Sequence, residues 1–70
     1  MISTVKKWVV DRGYGFIAHP EGGADLFVHF TDIIGQAGEP QPTALEPGVS
    51  VEFEIAQGKK GQVARHVRRL

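Results

Sequence analysis

The sequence predicts an all-β fold, a small sandwich or closed barrel of five short strands. Three observations carry this expectation. No window of the 70 residues sustains a helical period. Stretches rich in Val, Ile, Phe and Thr are separated by turns bearing Gly and Pro. Val49, Val51, Phe53 and Ile55 alternate with Ser50, Glu52 and Glu54, the pattern of a strand with one face in a core and the other in water. In so short a chain, closing the sheet on itself removes exposed edges, which favours the barrel.

The elements follow in order. Residues 2–10 read as a first strand, rich in Val and Thr and broken by Asp11-Arg12-Gly13. Residues 14–19 read as the second. Pro20, Gly22 and Gly23 punctuate a loop before the third strand, residues 26–30. Residues 31–34 are expected to form one short helical turn, with Thr31 as its cap. Residues 35–48 hold three of the four prolines and read as a long loop. The alternating run at 49–55 is the fourth strand. Gln57-Gly58-Lys59-Lys60-Gly61 is a turn, and residues 63–70 form a last strand with imperfect alternation.

Composition sets limits. Seventy residues make one domain, residues 1–70, the ceiling. The absence of cysteine removes disulfides and thiolate metal sites, and fits a reducing, cytoplasmic setting. Lys6 and Lys7 interrupt the N-terminal region early, so neither a signal peptide nor a membrane span is expected. Formal net charge is zero, whereas nucleic-acid-binding domains are often basic. Yet all eight Lys and Arg lie within residues 6–12 or 59–69, and seven of the eight acids lie between. Such asymmetry can leave a basic face on a neutral molecule.

The most informative stretches are Arg12-Gly13-Tyr14-Gly15-Phe16-Ile17 and Leu26-Phe27-Val28-His29-Phe30. Alternate side chains of a strand share a face. Tyr14 and Phe16 then point one way, as do Phe27 and His29. Ile17, Leu26 and Val28 carry the opposite parity and are core material. If the strands pair, the four rings form one flat surface that Gly13 and Gly15 do not crowd. Rings on strands are usually core, but here the other face already supplies one. Several exposed rings on one face call for a partner with flat apolar faces, and nucleic-acid bases are such a partner.

These two stretches resemble the paired ribonucleoprotein motifs of the cold-shock protein family. There the first motif reads Lys-Gly-Phe-Gly-Phe-Ile and the second Val-Phe-Val-His-Phe. The resemblance runs from about residue 5 to residue 67. It implies a small five-stranded antiparallel OB-type β-barrel that binds single-stranded RNA or DNA and acts as an RNA chaperone. It implies a preference for pyrimidine-rich strands and a monomer, with a strand-swapped dimer as the variant the long loop would allow. Tyr14, Phe16, Phe27, His29 and Phe30 fall on family contact positions. Phe30 has core parity, so its exposure requires the strand end to twist. Arg12 and Lys60 match basic positions near phosphates, and Lys6 is a further candidate.

The chain also departs from the pattern. Where the family carries Lys-Trp-Phe-Asn, an ungapped alignment sets Lys6, Lys7, Trp8 and Val9. An ammonium thus replaces one expected ring, and Lys7 is expected to contact phosphate. Trp8 is expected on or at the edge of the platform, carried there by a bulge, with the core as its other destination. The long loop lacks the aromatic usual before the fourth strand. Pro40 and Pro42 cannot stack equally well.

Other chemistries fit less well. Gly13-Tyr14-Gly15-Phe16-Ile17-Ala18 matches the dinucleotide fingerprint literally, but that motif needs a helix opening at the glycines. His19, His29 and His66 lack metal-ligand spacing, so no metal or cofactor is expected. Asp25 and His29 would lie about 13 Å apart along an ideal strand. No enzymatic activity is expected. A fold with an RNA-recognition motif would need two helices. The alternative from another class is a protein-interaction barrel whose aromatic face docks a peptide.

Overall fold

The computed structural model describes residues 1–35, 44–59 and 61–70. Lys60 and the central part of the long loop, with Pro40 and Pro42, lie outside the described residues. Five strands close into a barrel: β1 (Ile2–Val9), β2 (Tyr14–Ile17), β3 (Leu26–His29), β4 (Ser50–Gly58) and β5 (Gly61–Arg69). Their order around the wall is β1-β2-β3-β5-β4. No helix among the described residues is long and apolar enough to cross a membrane.

Four seams are antiparallel, and the β3–β5 seam is parallel. The expected barrel is therefore present without being antiparallel throughout. The reason is arithmetic. Directions cannot alternate around a closed ring with an odd number of strands. At least one seam must join strands that run the same way. Here that seam is short, with Phe27 opposite Val63 in the strands and a bridge from Ile33 to Val67 beyond them.

The inward faces meet in one core of Val5, Ile17, Leu26, Val28, Ile33, Leu45, Val51, Phe53, Ala64 and Val67. Val51 and Phe53 are buried as their alternation predicts, and Val49 and Ile55 are half-buried against them. The helical turn lies one residue earlier than expected. It is a 3-10 turn over Phe30–Asp32, and its cap is His29, whose ring accepts from the Thr31 backbone N–H. A flexible hydroxyl at Thr31 gives way to an imidazole already fixed at the end of β3. The last two strands pair as far as Gly58↔Gly61, further into the hairpin than alternation alone indicates.

Two irregularities shape the wall. Between β1 and β2 the register passes from Val5↔Ile17 to Lys7↔Phe16, so Lys6 is the extra residue of a bulge. Between β4 and β5 the register shifts across Glu52/Glu54. There His66 adopts a φ of 51°, a region histidine enters more readily than most residues. Its Nδ1 lies 2.7 Å from Glu54 Oε2.

The β1 bulge decides the fate of Trp8. After it, Lys7 and Val9 share a face with Phe16 and Tyr14, while Trp8 pairs with Gly15 on the core side. Trp8 is half-buried and packs against the core. The expectation of Trp8 on the platform is thus corrected: the extra residue precedes Lys7, which returns Trp8 to inward parity. Gly15 makes room for it. A Cβ there would lie 2.4 Å from Trp8 Cε3 and 2.4 Å from the Lys7 carbonyl oxygen. Gly15→Ala is accordingly expected to cost about 2 kcal/mol or more, because one of the two clashes is with backbone. Chemical denaturation checks this; a wild-type midpoint would show that the strands have slack.

The buried Trp8 Nε1 finds no acceptor among the described residues. An unpaired buried donor is destabilising. Trp8→Phe removes it and keeps most of the apolar contact, so stability should change by less than about 1 kcal/mol. Trp8→Ala should lose about 2 kcal/mol or more. Equal losses in thermal melts of the two variants would mean that the indole N–H is satisfied in solution.

Candidate nucleic-acid interface

The platform arises from one register. Tyr14 opposes His29 and Phe16 opposes Phe27, while Gly15 opposes Val28 and Ile17 opposes Leu26. Ile17, Leu26 and Val28 are fully buried. Period-two alternation then sends the four rings to the outside together.

The rings touch one another. The Tyr14 and Phe27 centroids lie 5.3 Å apart, tilted by 34°. Phe16 meets Tyr14 at 6.0 Å edge-on and Phe27 at 6.0 Å with an interplanar angle of 74°. These separations are typical of favourable aromatic pairs. The contacts hold the rings in place and leave outer surface open. Phe27 is 36% exposed, and Tyr14 and Phe16 are half-buried.

His29 and Phe30 extend this surface at the end of β3. Their centroids are 4.7 Å apart. Phe30 begins the 3-10 turn and so escapes the parity of the strand. It packs partly on the core and over Gly13, whose φ is 70°; a Cβ at Gly13 would come within 2.8 Å of the Phe30 ring. His29 Nδ1 accepts from the Thr31 N–H at 3.4 Å and lies 2.8 Å from the Thr31 hydroxyl. With Nδ1 accepting, the neutral ring carries its proton on Nε2, which can donate outward.

The expected cations are distributed unevenly. Lys7 is exposed on the ring side, across from Phe16. Arg12 is exposed in the turn that leads into Tyr14. Lys6 stands at the bulge and reaches Asp25, 3.5 Å away. Lys60 lies outside the described residues. At the other end of the chain, Arg68 pairs with Glu52 on the outer face of β4–β5. Among the described residues, no group of three or more His, Asp or Glu is placed to hold a metal ion.

One part of the site was not expected from sequence. Beside Phe16 and Phe27 an open groove of about 580 Å³ follows the β3–β5 seam, lined also by Ala24, Asp25, Lys59, Gly61, Gln62 and Val63. The seam joins residues 36 positions apart, Phe27 and Val63, and no local pattern announces such a pairing.

Comparison with known proteins agrees with this geometry. The family model described as "'Cold-shock' DNA-binding domain" matches residues 1–70. The cold shock protein CspB of Bacillus caldolyticus is 47% identical over 66 residues, covering 94% of this chain and 92% of that protein. The probable cold shock protein A of Mycobacterium tuberculosis is 45% identical over 67 residues, covering 96% of this chain and 94% of that protein. Among solved structures, "drosophila Unr CSD456" superposes with a TM-score of 0.74 at 26% identity, covering 99% of this chain. This chain spans 26% of that longer one. With its motif rings on the outer face of a closed five-stranded barrel, the chain belongs to the cold-shock domain family of nucleic-acid-binding, non-enzymatic proteins.

Proposed function

We propose that this protein binds single-stranded RNA or DNA by stacking unpaired bases on Tyr14, Phe16, Phe27 and His29, with Phe30 at one end. The observation that carries this reading is the cluster of three mutually touching rings on the outer face, one of them 36% exposed. Lys7, Arg12 and Lys59 border the rings or the adjoining groove and serve the phosphates. Lys6 and Lys60 are further phosphate candidates. Trp8 supports the sheet from beneath. A base stacks through its faces, which a duplex hides, so paired strands bind poorly.

Holding unpaired segments shifts the folding equilibrium of an RNA by mass action without a chemical energy source. We therefore assign an RNA-chaperone role in the cytoplasm. The preference for pyrimidine-rich strands is carried over from the family and belongs to the same proposal.

Each stacked base is worth about 1–3 kcal/mol by alanine substitution. Phe16→Ala and Phe27→Ala should each weaken binding of a single-stranded oligonucleotide about tenfold, with the circular dichroism spectrum unchanged. Loss of the folded spectrum in both variants would make these rings structural and remove the platform. A salt titration separates nucleic acid from a docked peptide. Three neutralised phosphates give a log–log slope of about −2; a flat response would favour the peptide.

A further inference from the structure

We infer that His19 fixes the orientation of the Gln62 side chain and thereby sets which base edge the groove beside Phe16 and Phe27 accepts. This deepens the single-strand reading above and rests on it. His19 follows β2 and is half-buried. Its Nδ1 accepts from the Glu21 backbone N–H at 3.1 Å, and its carbonyl closes a turn onto the Gly22 N–H at 3.0 Å. A neutral imidazole that accepts at Nδ1 carries its proton at Nε2. That Nε2 lies 3.1 Å from Gln62 Oε1, 43 residues further along the chain. The ring therefore donates, and the Gln62 amide oxygen accepts and is turned toward His19.

Orientation has a chemical consequence. With Oε1 engaged by His19, Gln62 has N–H donors left to offer. Gln62 lines the groove with Phe16, Phe27 and Val63. A base inserted there meets the apolar walls of Phe16, Phe27 and Val63, the N–H donors of Gln62 and the ammonium of Lys59, while the Asp25 carboxylate at the groove is paired with Lys6 at 3.5 Å. A carbonyl on the base edge matches that donor. An exocyclic amino group facing Gln62 sets donor against donor, so that hydrogen bond is not made. The groove therefore selects a keto base over its amino counterpart: uracil over cytosine, and hypoxanthine over adenine. Within each pair ring size is the same and stacking area nearly so, so the rings of the platform contribute little to the choice.

His19 is a positioning residue in this scheme, since it acts through Gln62. The test compares the affinities of the wild-type protein for oligo-U and oligo-C of equal length with those of three variants. In His19→Phe and Gln62→Leu the U-to-C affinity ratio should fall about fivefold, the worth of one neutral hydrogen bond. His19→Gln restores a donor near the Nε2 position and should retain the ratio. The Gln62 side-chain NH2 resonances, resolved in a 15N-labelled sample, should shift in His19→Phe and stay near wild type in His19→Gln. Wild-type binding with a ratio that none of the variants changes overturns the inference and leaves the stacking platform standing. A ratio that changes equally in all three variants also overturns it. Failure of the wild-type protein to bind either oligomer overturns the single-strand reading itself, and this inference with it.

Discussion

The pairing of β2 with β3 in a single register is the constraint on which the site depends. Phe16 against Phe27 and Gly15 against Val28 are one decision, not two. Because side chains alternate, the register that buries Ile17, Leu26 and Val28 is the register that exposes the rings. A slip of one residue would reverse both faces at once. Hydrophobic burial of three aliphatic side chains on one face thus positions the rings on the other. Gly15 lets the same strand lie close to Trp8, so the platform is backed by an indole from the neighbouring strand.

The balance of forces at the platform follows from composition. With zero net charge, attraction of a polyanion depends on where the cations sit rather than on the molecule as a whole. Its cations are placed instead at short range, with Lys7 beside the rings and Lys59 on the groove. Other charges are spent within the protein: Asp25 receives Lys6, and Glu52 receives Arg68. Lys7 stands where the family motif carries an indole, on the same face as Phe16. The chain replaces a flat contact there with a mobile charge.

Much of this was readable before the structure, for identifiable reasons. Parity in residues 12–17 and 26–30 foretold which rings face outward, because it needs no knowledge of distant partners. The strand at 49–55 was visible for the same reason. Trp8 was misplaced because the position of a single extra residue in β1 inverts everything after it, and no residue type marks Lys6 as a bulge. The cap at His29 was missed because side-chain capping depends on where the strand stops. The groove and the His19–Gln62 contact join segments far apart in the chain, and local periodicity carries no information about them.

An odd-membered ring of strands resembles an odd loop of spins that each prefer to oppose their neighbours. One mismatch must exist, and its location is free to be chosen. This barrel sets it alongside the ring platform. Parallel pairing is the weaker kind per residue, and the mismatch here is also brief. The shortest ladder of the wall therefore lies directly next to the exposed rings, while the ladder that aligns them lies on the other side of β3. A barrel of four or six strands could alternate perfectly, and topology would force no such mismatch on it.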